Sequence, residues 1–197
     1  LLSACVDGWF TLPLAIPNHL AGLAGQPLLD VDAPEAAEAL GDVRGRIDHL
    51  VNNPGHTRPA TFHRRLGEIL YAGCGVSRSE DGLKRALEQV QELREEFWRD
   101  VRVAGTDDRL NQELEKAGRV ADFLELAELM ITDALDRQES CGAHFREEYA
   151  LPDGEAKRDD ERWCNVSAWE TNPAGHHRRY QEPLRFESVK LQVRNYR

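Results

Sequence analysis

Apolar residues recur at three- and four-residue steps between Asn111 and Leu135, a pattern that places them along one face of a long helix. The stripe consists of Leu114, Ala117, Val120, Ala121, Leu124, Ala127, Ile131, Ala134 and Leu135. Phe123, Leu126 and Met130 extend the apolar surface onto a second face. Because a surface helix keeps a narrower stripe, this pattern predicts the central member of a helical bundle.

The two ends of this central helix carry different signals. Asn111 is placed to act as the N-cap, and Glu113 and Glu115 add carboxylates to the first turn, where they complement the helix dipole. At the other end the sequence changes from periodic to polar over residues 137–146, here called the polar turn. Gly142 in this turn supplies the left-handed backbone geometry that stops a helix.

Further amphipathic helices are predicted before the central one, over residues 35–52, 59–72 and 80–100. Each keeps apolar residues at helical spacing and places charged residues on the other face. A turn over residues 104–110 joins the last of them to the central helix, so these two helices are expected to be antiparallel. In this arrangement Phe97 and Trp98 pack against the start of the central helix.

The first segment of the chain is apolar, and residues 1–10 are predicted to be the tail of a buried helix. The residues spaced to face one side of it are Leu2, Val6 and Trp9 or Phe10. Pro13 and Pro17 are expected to break or kink the path. No signal peptide or membrane segment is predicted, since polar residues and prolines interrupt the run and no basic region precedes it. An apolar helical pattern already under way at Leu1, without an initiator Met, indicates a fragment of a longer protein.

The chain loses its helical periodicity after Arg146. Residues 147–161 form a charged loop, and residues 163–169 are predicted to be a short strand. A polar loop over 171–183 leads to a second strand over 184–196, where apolar residues alternate. The two strands are expected to pair as a small antiparallel sheet. The predicted fold class is therefore mainly α, a helical bundle with a short antiparallel β tail.

The charge balance excludes one class of partner. The chain of 197 residues has a formal net charge of -10, whereas binding to a nucleic-acid backbone depends on clustered Lys and Arg. The one basic cluster, at residues 176–179, is interpreted as a solvated loop. With 41% hydrophobic and 30% charged residues, the chain has the composition of a soluble globular domain.

Four cysteines, Cys5, Cys74, Cys141 and Cys164, are widely separated and form no C-x-x-C pair. Structural zinc sites need closely spaced ligand pairs, so no metal site is predicted. Free thiols in a reducing compartment are the expected state of these residues.

The polar turn holds most of the candidate reactive residues. They are Arg137, Glu139, Ser140, His144 and Arg146. A Ser, a His and a Glu this close together suggest a hydrolase, but the nucleophile motif G-x-S-x-G is missing. The favoured interpretation is structural, because Arg and His side chains near the end of a helix satisfy its free carbonyls and oppose its dipole. The carboxylates of residues 158–160 are expected to pair with Arg137 or Arg146.

Several segments of the chain resemble one enzyme family. Residues 137–146, with the sequence RQESCGAHFR, followed by RDD at 158–160 and by Trp163, resemble the signature R-x-E-S-x-G-x-H-x-R…R-D-D…W. This signature belongs to the C-terminal region of succinate dehydrogenase and fumarate reductase flavoprotein subunits. Further segments similar to these proteins are residues 94–98, 119–129 and 184–191.

The resemblance implies an oxidoreductase that interconverts succinate and fumarate. In this family FAD takes a hydride from one methylene carbon of succinate, while an Arg side chain takes a proton from the next. The FAD-attaching His, the dinucleotide-binding glycines and the substrate-binding residues lie upstream of Leu1 in the family, so no catalytic residue is expected here. The main chain of Leu1 is the one flavin contact that the resemblance implies. Cys141 stands where many members have Arg, a form that resembles the branch found with menaquinone-linked complexes, and contacts of that Arg are not carried over.

The resemblance also implies a division of the chain and a set of partners. Residues 1–26 correspond to the end of the FAD-binding domain, 27–146 to a helical bundle domain and 147–197 to a loop and strand tail. The expected partners are an iron–sulfur subunit and, through it, a membrane-anchor subunit, with the quinone reached indirectly. The expected location is the cytoplasmic side of the plasma membrane, without insertion into it.

His63, Arg64 and Arg65 form a basic triplet on a predicted helix. Beside a flavin or a substrate carboxylate such a triplet would be chemically useful. The favoured interpretation is a solvated face or an ion pair with Glu68, because exposed pairs at this spacing are common on helices.

Two other functions fit parts of the sequence. L-aspartate oxidase and other fumarate-reductase-like flavoproteins share the E-S-x-G-x-H turn, but the long tail that includes residues 184–191 favours the respiratory enzyme. A non-enzymatic helical interaction module needs only acidic amphipathic helices, which this chain has. Binding of an iron–sulfur subunit separates the flavoprotein from such a module.

Overall fold

The computed structural model describes residues 5–27, 30–172 and 177–192, and the chain divides into two units, Leu1–Arg46 and Ile47–Arg197. The second unit contains the helical bundle and the strands that follow it. The predicted fold class, mainly α with a helical bundle and a small antiparallel sheet, is confirmed. Within the described ranges, none of the helices has both the length and the apolar character needed to cross a bilayer.

In the first unit a π-helical stretch, Asp7–Thr11, continues directly into helix α1, Leu12–Ala21. Pro13 does not break the path as predicted, since the helical backbone continues from Thr11 through Pro13 to the end of α1. Pro17 lies inside α1, and the helix continues past it to its end.

The apolar side chains at the start of the first unit are not buried. The sequence predicts Val6, Trp9 and Phe10 on the buried side of a helix, but all three are exposed. That prediction is wrong for the chain as it stands, because no described residue buries them. Leu2, the fourth member of the predicted set, lies outside the described residues.

The bundle in the second unit consists of α3 (Pro59–Gly73), α4 (Glu80–Asp100) and α5 (Gln112–Asp136), preceded by α2 (Pro34–Asn52). The observed bounds of α2, α3 and α4 agree with the predicted ones to within a residue at each end. The large apolar side chains buried between these three helices are Phe62, Leu66, Leu83, Val90, Leu93, Phe97, Val120, Leu124 and Ile131. The rings of Phe62 and Phe97 meet edge to face at 5.3 Å, which fixes α3 against α4.

Helix α5 is buried along one side only. The predicted stripe from Ala117 to Ala134 is buried against α3 and α4. On the second face, Phe123, Leu126 and Met130 are 40%, 53% and 46% exposed. The prediction of a helix covered on both faces is therefore wrong for the described residues, which leave these three side chains about half exposed.

Trp98 contacts the end of α2. Its ring lies 5.6 Å from the ring of His49, and its carbonyl accepts a hydrogen bond from His49 Nε2 at 2.9 Å. Leu50, the next residue of α2, is buried in the core. Phe97 is fully buried in this core and Trp98 is partly buried against it, while the predicted contact of Trp98 with the start of α5 stays a prediction.

The loop between α2 and α3 crosses the end of α4 at close range. Thr57 forms a parallel bridge with Val101, and the carbonyl of Asp100 accepts hydrogen bonds from the N–H groups of His56 (3.1 Å) and Thr57 (3.0 Å). A Cβ on Gly55 would lie 2.2 Å from the Asp100 carbonyl oxygen, so only glycine fits there. Hydrogen bonds from the Thr57 hydroxyl and the His56 N–H lower the pKa of the Asp100 carboxyl.

Two small sheets involve the C-terminal part. Strand β1, Ser77–Arg78, pairs in parallel with β2, Phe145–Arg146. A single helical turn, α6 (Asp160–Trp163), leads into β3 (Asn165–Thr171), which pairs antiparallel with β4 (His177–Pro183).

The second predicted strand is misplaced. Residues 184–192 form no strand, and β3 pairs instead with 177–183, a stretch that the sequence predicts as part of a polar loop. The rest of the predicted strand, 193–196, lies outside the described residues. Apolar alternation was the wrong signal, because much of the hairpin is exposed and polar contacts hold it.

Polar anchors tie this hairpin to α5. Trp169 Nε1 donates to the Asp133 carboxylate at 2.8 Å, and Arg179, opposite Trp169 in the sheet, forms an ion pair with Asp136. Arg178 stacks on the ring of Tyr180 at 4.7 Å. The interpretation of the basic cluster as a solvated loop is therefore wrong for Arg179, which is half-buried and paired.

Candidate functional site at the end of the central helix

The polar turn closes the C-terminal end of α5 with a buried guanidinium. Arg146 is 1% exposed, and its Nη1 donates to the carbonyl oxygens of Ala134 (2.9 Å) and Leu135 (3.3 Å) in the last turn of α5. Its Nε donates to Glu148 at 3.1 Å, and its guanidinium stacks on the ring of Tyr149. Arg146 thus satisfies carbonyls that a helix end leaves free and opposes the helix dipole, which confirms the predicted capping role.

His144 links the turn to Arg78 of β1. Its Nδ1 lies 2.8 Å from Arg78 Nη1, and its Nε2 lies 3.0 Å from the carbonyl oxygen of Arg137. Because a guanidinium only donates and a carbonyl only accepts, Nδ1 is the acceptor and Nε2 carries the proton. Burial lowers the pKa of His144, the hydrogen bond to the Arg137 carbonyl opposes this, and the charges of Arg78, Arg146 and Arg137 lower the pKa further. His144 is therefore neutral in the intact turn.

Ser140 and Glu139 fasten the turn from inside. Ser140 Oγ accepts a hydrogen bond from the Arg146 N–H (2.8 Å) and donates to the Arg146 carbonyl (3.1 Å). Glu139 accepts from Arg137 Nε at 3.2 Å and from the N–H of Asp159 at 2.8 Å. Both side chains are buried, so each polar group depends on these partners.

Gly142 reverses the chain inside the turn. Cys141 and His144 exchange hydrogen bonds between their backbones, at 2.8 and 3.1 Å, and Gly142 lies between them with a φ of 61°. The predicted left-handed glycine is confirmed, but it does not end the helix. Helix α5 already ends at Asp136, where Arg137 turns to extended backbone.

The carboxylates of the R-D-D segment do not reach the arginines of the turn. Asp160 pairs with Arg158, whose Nε donates to it at 2.9 Å, and the Asp159 carboxylate caps the start of α6. The predicted pairing with the turn is wrong, because carboxylates closer in sequence, Glu139 and Glu148, already pair with its arginines.

Trp163 lies among three arginines. The guanidinium groups of Arg137, Arg162 and Arg179 lie 5.7, 5.8 and 5.4 Å from its ring centroid. Arg137 Nη2 also donates to the Trp163 carbonyl at 2.7 Å. The buried Nε1 of Trp163 has no hydrogen-bond partner among the described residues. Trp163 therefore connects the polar turn, α6 and the hairpin.

The geometry of the turn suits bracing rather than catalysis. Ser140 Oγ is buried and bonded to the backbone, whereas a nucleophile needs exposure to a substrate. His144 turns its two ring nitrogens to Arg78 and to the Arg137 carbonyl, not to Ser140. These contacts exclude the hydrolase interpretation. Across the described part of the chain, no three His, Cys, Asp or Glu side chains group as a metal site.

The four cysteines are free thiols, as predicted. Cys74 is buried, and burial raises the pKa of its thiol, which keeps it protonated. Cys5 and Cys141 are exposed.

The described residues do not by themselves fit a dinucleotide cofactor such as FAD. The chain has one G-x-G pair, Gly73 and Gly75, and both glycines are packed. A Cβ on Gly73 would lie 2.6 Å from Ala86 Cβ, and one on Gly75 would lie 2.7 Å from the Tyr71 carbonyl oxygen. Gly73 therefore allows close packing of α3 on α4, and Gly75 allows the chain to turn closely at the end of α3, so neither is open to a pyrophosphate. Leu1, the predicted flavin contact, lies outside the described residues.

The basic triplet on α3 forms an ion pair, but with a different partner from the predicted one. Arg65 makes a bidentate contact with Glu96 of α4, at 2.6 and 2.7 Å, rather than with Glu68. The hydrogen bond to Glu96 raises the pKa of Arg65. His63 lies against the ring of Phe123 at 5.8 Å.

Sequence reasoning missed two polar residues of the bundle. Arg78 contacts His144 across 66 positions, and no periodic pattern reports a contact of that range. Glu128 is buried on α5 and accepts hydrogen bonds from Gln91 Nε2 (2.9 Å) and from Arg94. Its position next to Ala127 in the apolar stripe is a signal that could have identified it.

Comparisons with known proteins agree on one family. A family model described as fumarate reductase flavoprotein C-term matches residues 63–196. The fumarate reductase flavoprotein subunit of Proteus vulgaris is 28% identical over 182 residues, covering 90% of this chain and 29% of that protein. The succinate dehydrogenase flavoprotein subunit of Bacillus subtilis is 26% identical over 172 residues, covering 85% and 27%. A solved chain of Escherichia coli quinol fumarate reductase matches with a TM-score of 0.70 at 27% identity, over 85% of this chain and 27% of that one. The chain thus spans less than a third of each of these proteins.

Proposed function

The chain belongs to the family of fumarate reductase flavoprotein C-terminal regions, and from this premise we propose that it is the C-terminal part of the flavoprotein subunit of a succinate dehydrogenase. We call the longer protein the complete flavoprotein. It interconverts succinate and fumarate, with FAD as the hydride acceptor. The chain itself is a structural and docking part that braces the flavin-binding part and holds no catalytic residue.

The state of the polar turn supports a bracing role. Arg146 is bonded to the end of α5, His144 to Arg78, and Glu139 to the loop that precedes α6. Groups held in fixed contacts between elements stabilise an architecture, whereas a general acid or base must reach the proton that it transfers.

The cofactor and the partners of the complete flavoprotein belong to the same proposal. FAD is held mostly by residues upstream of this chain, with the main chain of Leu1 as the predicted contact from within it. An iron–sulfur subunit receives the electrons, and a membrane-anchor subunit and the quinone are reached through it. The proposed location is peripheral, on the cytoplasmic side of the plasma membrane. The similarity to subunits of a quinol fumarate reductase and a succinate dehydrogenase supports these assignments.

A flavin absorbance spectrum and a dye-linked succinate assay on the purified chain test the bracing role. We expect neither bound flavin nor turnover, and clear activity of this chain alone would contradict the proposal. The complete flavoprotein, expressed from the full coding region, is expected to bind flavin and to reduce the dye with succinate. If it oxidises L-aspartate instead of succinate, the identity of the parent enzyme is wrong.

A pull-down tests the proposed partner. The complete flavoprotein is expected to retain an iron–sulfur subunit encoded in the same genome. A complete protein that carries no flavin and retains no such subunit would instead be a free helical module.

A further inference from the structure

Two arginines line one pocket where the loop before α3 crosses the segment that follows α4. Thr57 and Val101 pair in parallel between these two segments, and Arg58 and Arg102 each follow one residue later. Side chains in register on neighbouring strands point to the same face, which places both arginines on the same side of the pairing. The pocket has a volume of about 370 Å³ and is lined by His56, Arg58, Arg102, Ala104 and Glu113.

The two guanidinium groups have no hydrogen bond, ion pair or ring contact among the described residues. Glu113 lines the pocket but pairs with Lys116 at 2.9 Å. The Asp100 carboxylate accepts hydrogen bonds from the Thr57 hydroxyl at 2.6 Å and from the His56 N–H at 3.0 Å. The carboxylates at this crossing are thus engaged with other groups.

Two like charges in adjacent register destabilise a fold unless an opposite charge joins them. The chain has 35 Asp and Glu residues against 25 Lys and Arg residues, so carboxylates are in excess. A pair of arginines that nevertheless has no carboxylate partner within the described ranges indicates an anion supplied from outside them.

The start of α3 adds to the positive charge of the pocket. Arg58 is the N-cap residue of this 15-residue helix, and no side chain caps its first turn. The N-terminal end of a helix carries a partial positive charge, and it is a common binding position for phosphate groups. The helix dipole therefore acts on an anion in the same direction as the two guanidinium groups.

We propose that this pocket binds a phosphate group, to which Arg58 and Arg102 each donate a pair of hydrogen bonds. A guanidinium fork matches two oxygens of a carboxylate or of a phosphate. A single carboxylate is satisfied by one fork, whereas the additional oxygens of a phosphate group accept from a second one. Pockets for small molecules have volumes of roughly 300 to 1,000 Å³, so this one also has room for the molecule that carries the phosphate.

Binding of inorganic phosphate to the complete flavoprotein, followed by isothermal titration calorimetry, tests the site. We expect saturable binding by the unchanged protein. Arg58→Gln combined with Arg102→Gln is expected to weaken it about tenfold or more, because charge-assisted hydrogen bonds are lost. No saturable binding, or binding that this double variant leaves unchanged, would overturn the proposal.

The matched control removes the same charge from another part of the bundle. Arg64→Gln combined with Arg85→Gln changes two exposed arginines that do not belong to the pocket lining. This control is expected to bind phosphate as the unchanged protein does. If it weakens phosphate binding as much as the double variant at positions 58 and 102, net charge accounts for the binding and the proposal is wrong.

Lysine variants separate the shape of the guanidinium from its charge. Arg58→Lys combined with Arg102→Lys keeps both charges but removes both forks. We expect phosphate affinity between that of the unchanged protein and that of the Gln double variant. Affinity equal to that of the unchanged protein would contradict the paired hydrogen bonds. The melting temperature of each variant confirms that it is folded, and the Lys variant provides the test if the Gln variant is not.

The phosphate group has two possible sources, a soluble molecule or a lipid headgroup. Vesicles of phosphatidylcholine with phosphatidic acid, compared in co-sedimentation with phosphatidylcholine alone, distinguish them. Binding of free phosphate without binding to these vesicles assigns a soluble ligand. Vesicle binding that the Gln double variant loses assigns a headgroup. Binding to neither overturns the proposal.

Succinate provides a final comparison, because a dicarboxylate could also engage two forks. Phosphate bound at the pocket is expected to remain bound when succinate is added at equal concentration. Displacement at that concentration or below would show that the pocket selects carboxylates, which contradicts the proposal. The result does not depend on the proposed function, since phosphate binding is measured without flavin chemistry.

Discussion

Helix α5 is capped by side chains at both ends, but the two caps are assembled over very different distances along the chain. At the N-terminal end, Asn111 Oδ1 accepts hydrogen bonds from the N–H groups of Glu113 (3.0 Å) and Leu114 (3.2 Å). At the C-terminal end, Arg146 returns to the last carbonyls of the helix, and His144 joins the turn to a residue 66 positions away. One cap is local, and the other depends on the assembled fold.

This difference indicates which contacts stabilise the whole fold and which stabilise one helix. A local cap stabilises the helix that it begins, whatever the rest of the chain does. The C-terminal cap exists only when β1, the polar turn and the loop before α6 are all in place, because its partners come from each of them. We therefore expect damage at the C-terminal end to be larger and to spread further.

The largest effect is expected for Arg146→Met. The change leaves the carbonyls of Ala134 and Leu135 without their donor and Glu148 without its buried partner. Each buried carbonyl left without its donor costs about 1 to 3 kcal/mol, whereas the lost ion pair adds less because the Glu148 side chain is 39% exposed. The free energy of unfolding in urea measures this loss.

Two further variants make the Arg146 test decisive. Arg162→Met removes an exposed arginine that stacks on the same indole ring as Arg137, and it is expected to change stability by less than about 0.5 kcal/mol. If Arg146→Met fails to fold, Arg146→Lys keeps the charge but not the planar fork, and it is expected to give a folded, weakened protein. If Arg146→Met and Arg162→Met have the same free energy of unfolding, the C-terminal cap contributes no more to stability than an exposed arginine does.

Ser140→Ala is expected to have the next largest effect. The Ser140 hydroxyl satisfies the buried N–H of Arg146, and a donor left without an acceptor costs about 1 to 3 kcal/mol. Ser77→Ala is the matched control, because the Ser77 hydroxyl donates to Glu147 at an exposed position. A loss no greater than that of the control, measured by urea unfolding, would contradict a bracing role for Ser140.

Asn111→Ala tests the local cap and is expected to cost about 1 kcal/mol. Asn111→Asp distinguishes the acceptor function of this side chain from its donor function. It keeps the acceptor for the helix N–H groups but loses the donor that bonds to the carbonyls of Ala104 and Thr106. We expect the Asp variant to recover most of the stability lost in the Ala variant. If the Asp variant recovers none of this stability, Asn111 stabilises the protein through its bonds to the loop carbonyls and not through the helix cap.

The smallest effect at neutral pH is expected from the titration of His144. Its pKa is lowered below 6.5 in the folded chain, so between 6.5 and the folded value the unfolded chain binds more protons. Stability from this group is therefore complete above about pH 6.5 and declines as the pH falls toward the folded pKa. Protonation also turns Nδ1 into a donor, which breaks its contact with Arg78.

His144→Gln is the matched variant for this titration. An amide can accept from Arg78 and donate to the Arg137 carbonyl, but it does not titrate in this range. The dependence of unfolding free energy on pH between 5 and 7.5 is expected to be shallower in the variant than in the unchanged chain. If the unfolding free energy depends on pH in the same way in the variant and in the unchanged chain, His144 is not the titrating group.

The same contrast explains how much of the molecule the sequence could predict. The N-cap at Asn111 and the stripe that faces the core rest on neighbours within one or two helical turns, and both were predictable. The partner of Arg78 and the strand that pairs with β3 depend on contacts across long distances, which periodicity does not report. Apolar alternation after Leu184 suggested a strand, while the real one is held by polar contacts such as the ion pair of Arg179 with Asp136.

The second face of α5 shows a different limit. The sequence correctly marks Phe123, Leu126 and Met130 as apolar, and it gives no information on what covers them. A pattern of apolar residues records that a surface needs a neighbour, and the neighbour can lie outside the chain that carries the pattern. The bracing role of the polar turn was predicted, but its partners, apart from the carbonyls of the helix end, were not.

The close contact between the backbones of Gly55 and Asp100 limits where this protein can be truncated. Because the backbone there lies against Asp100, and because Leu50 is buried among the bundle helices, a piece trimmed to residues 63–196 would lack one wall of its own core. The region that the family model matches, residues 63–196, is therefore smaller than the region that folds. A truncation series should begin no later than Ile47, and one that begins beyond Gly55 is expected to yield insoluble or partly unfolded material.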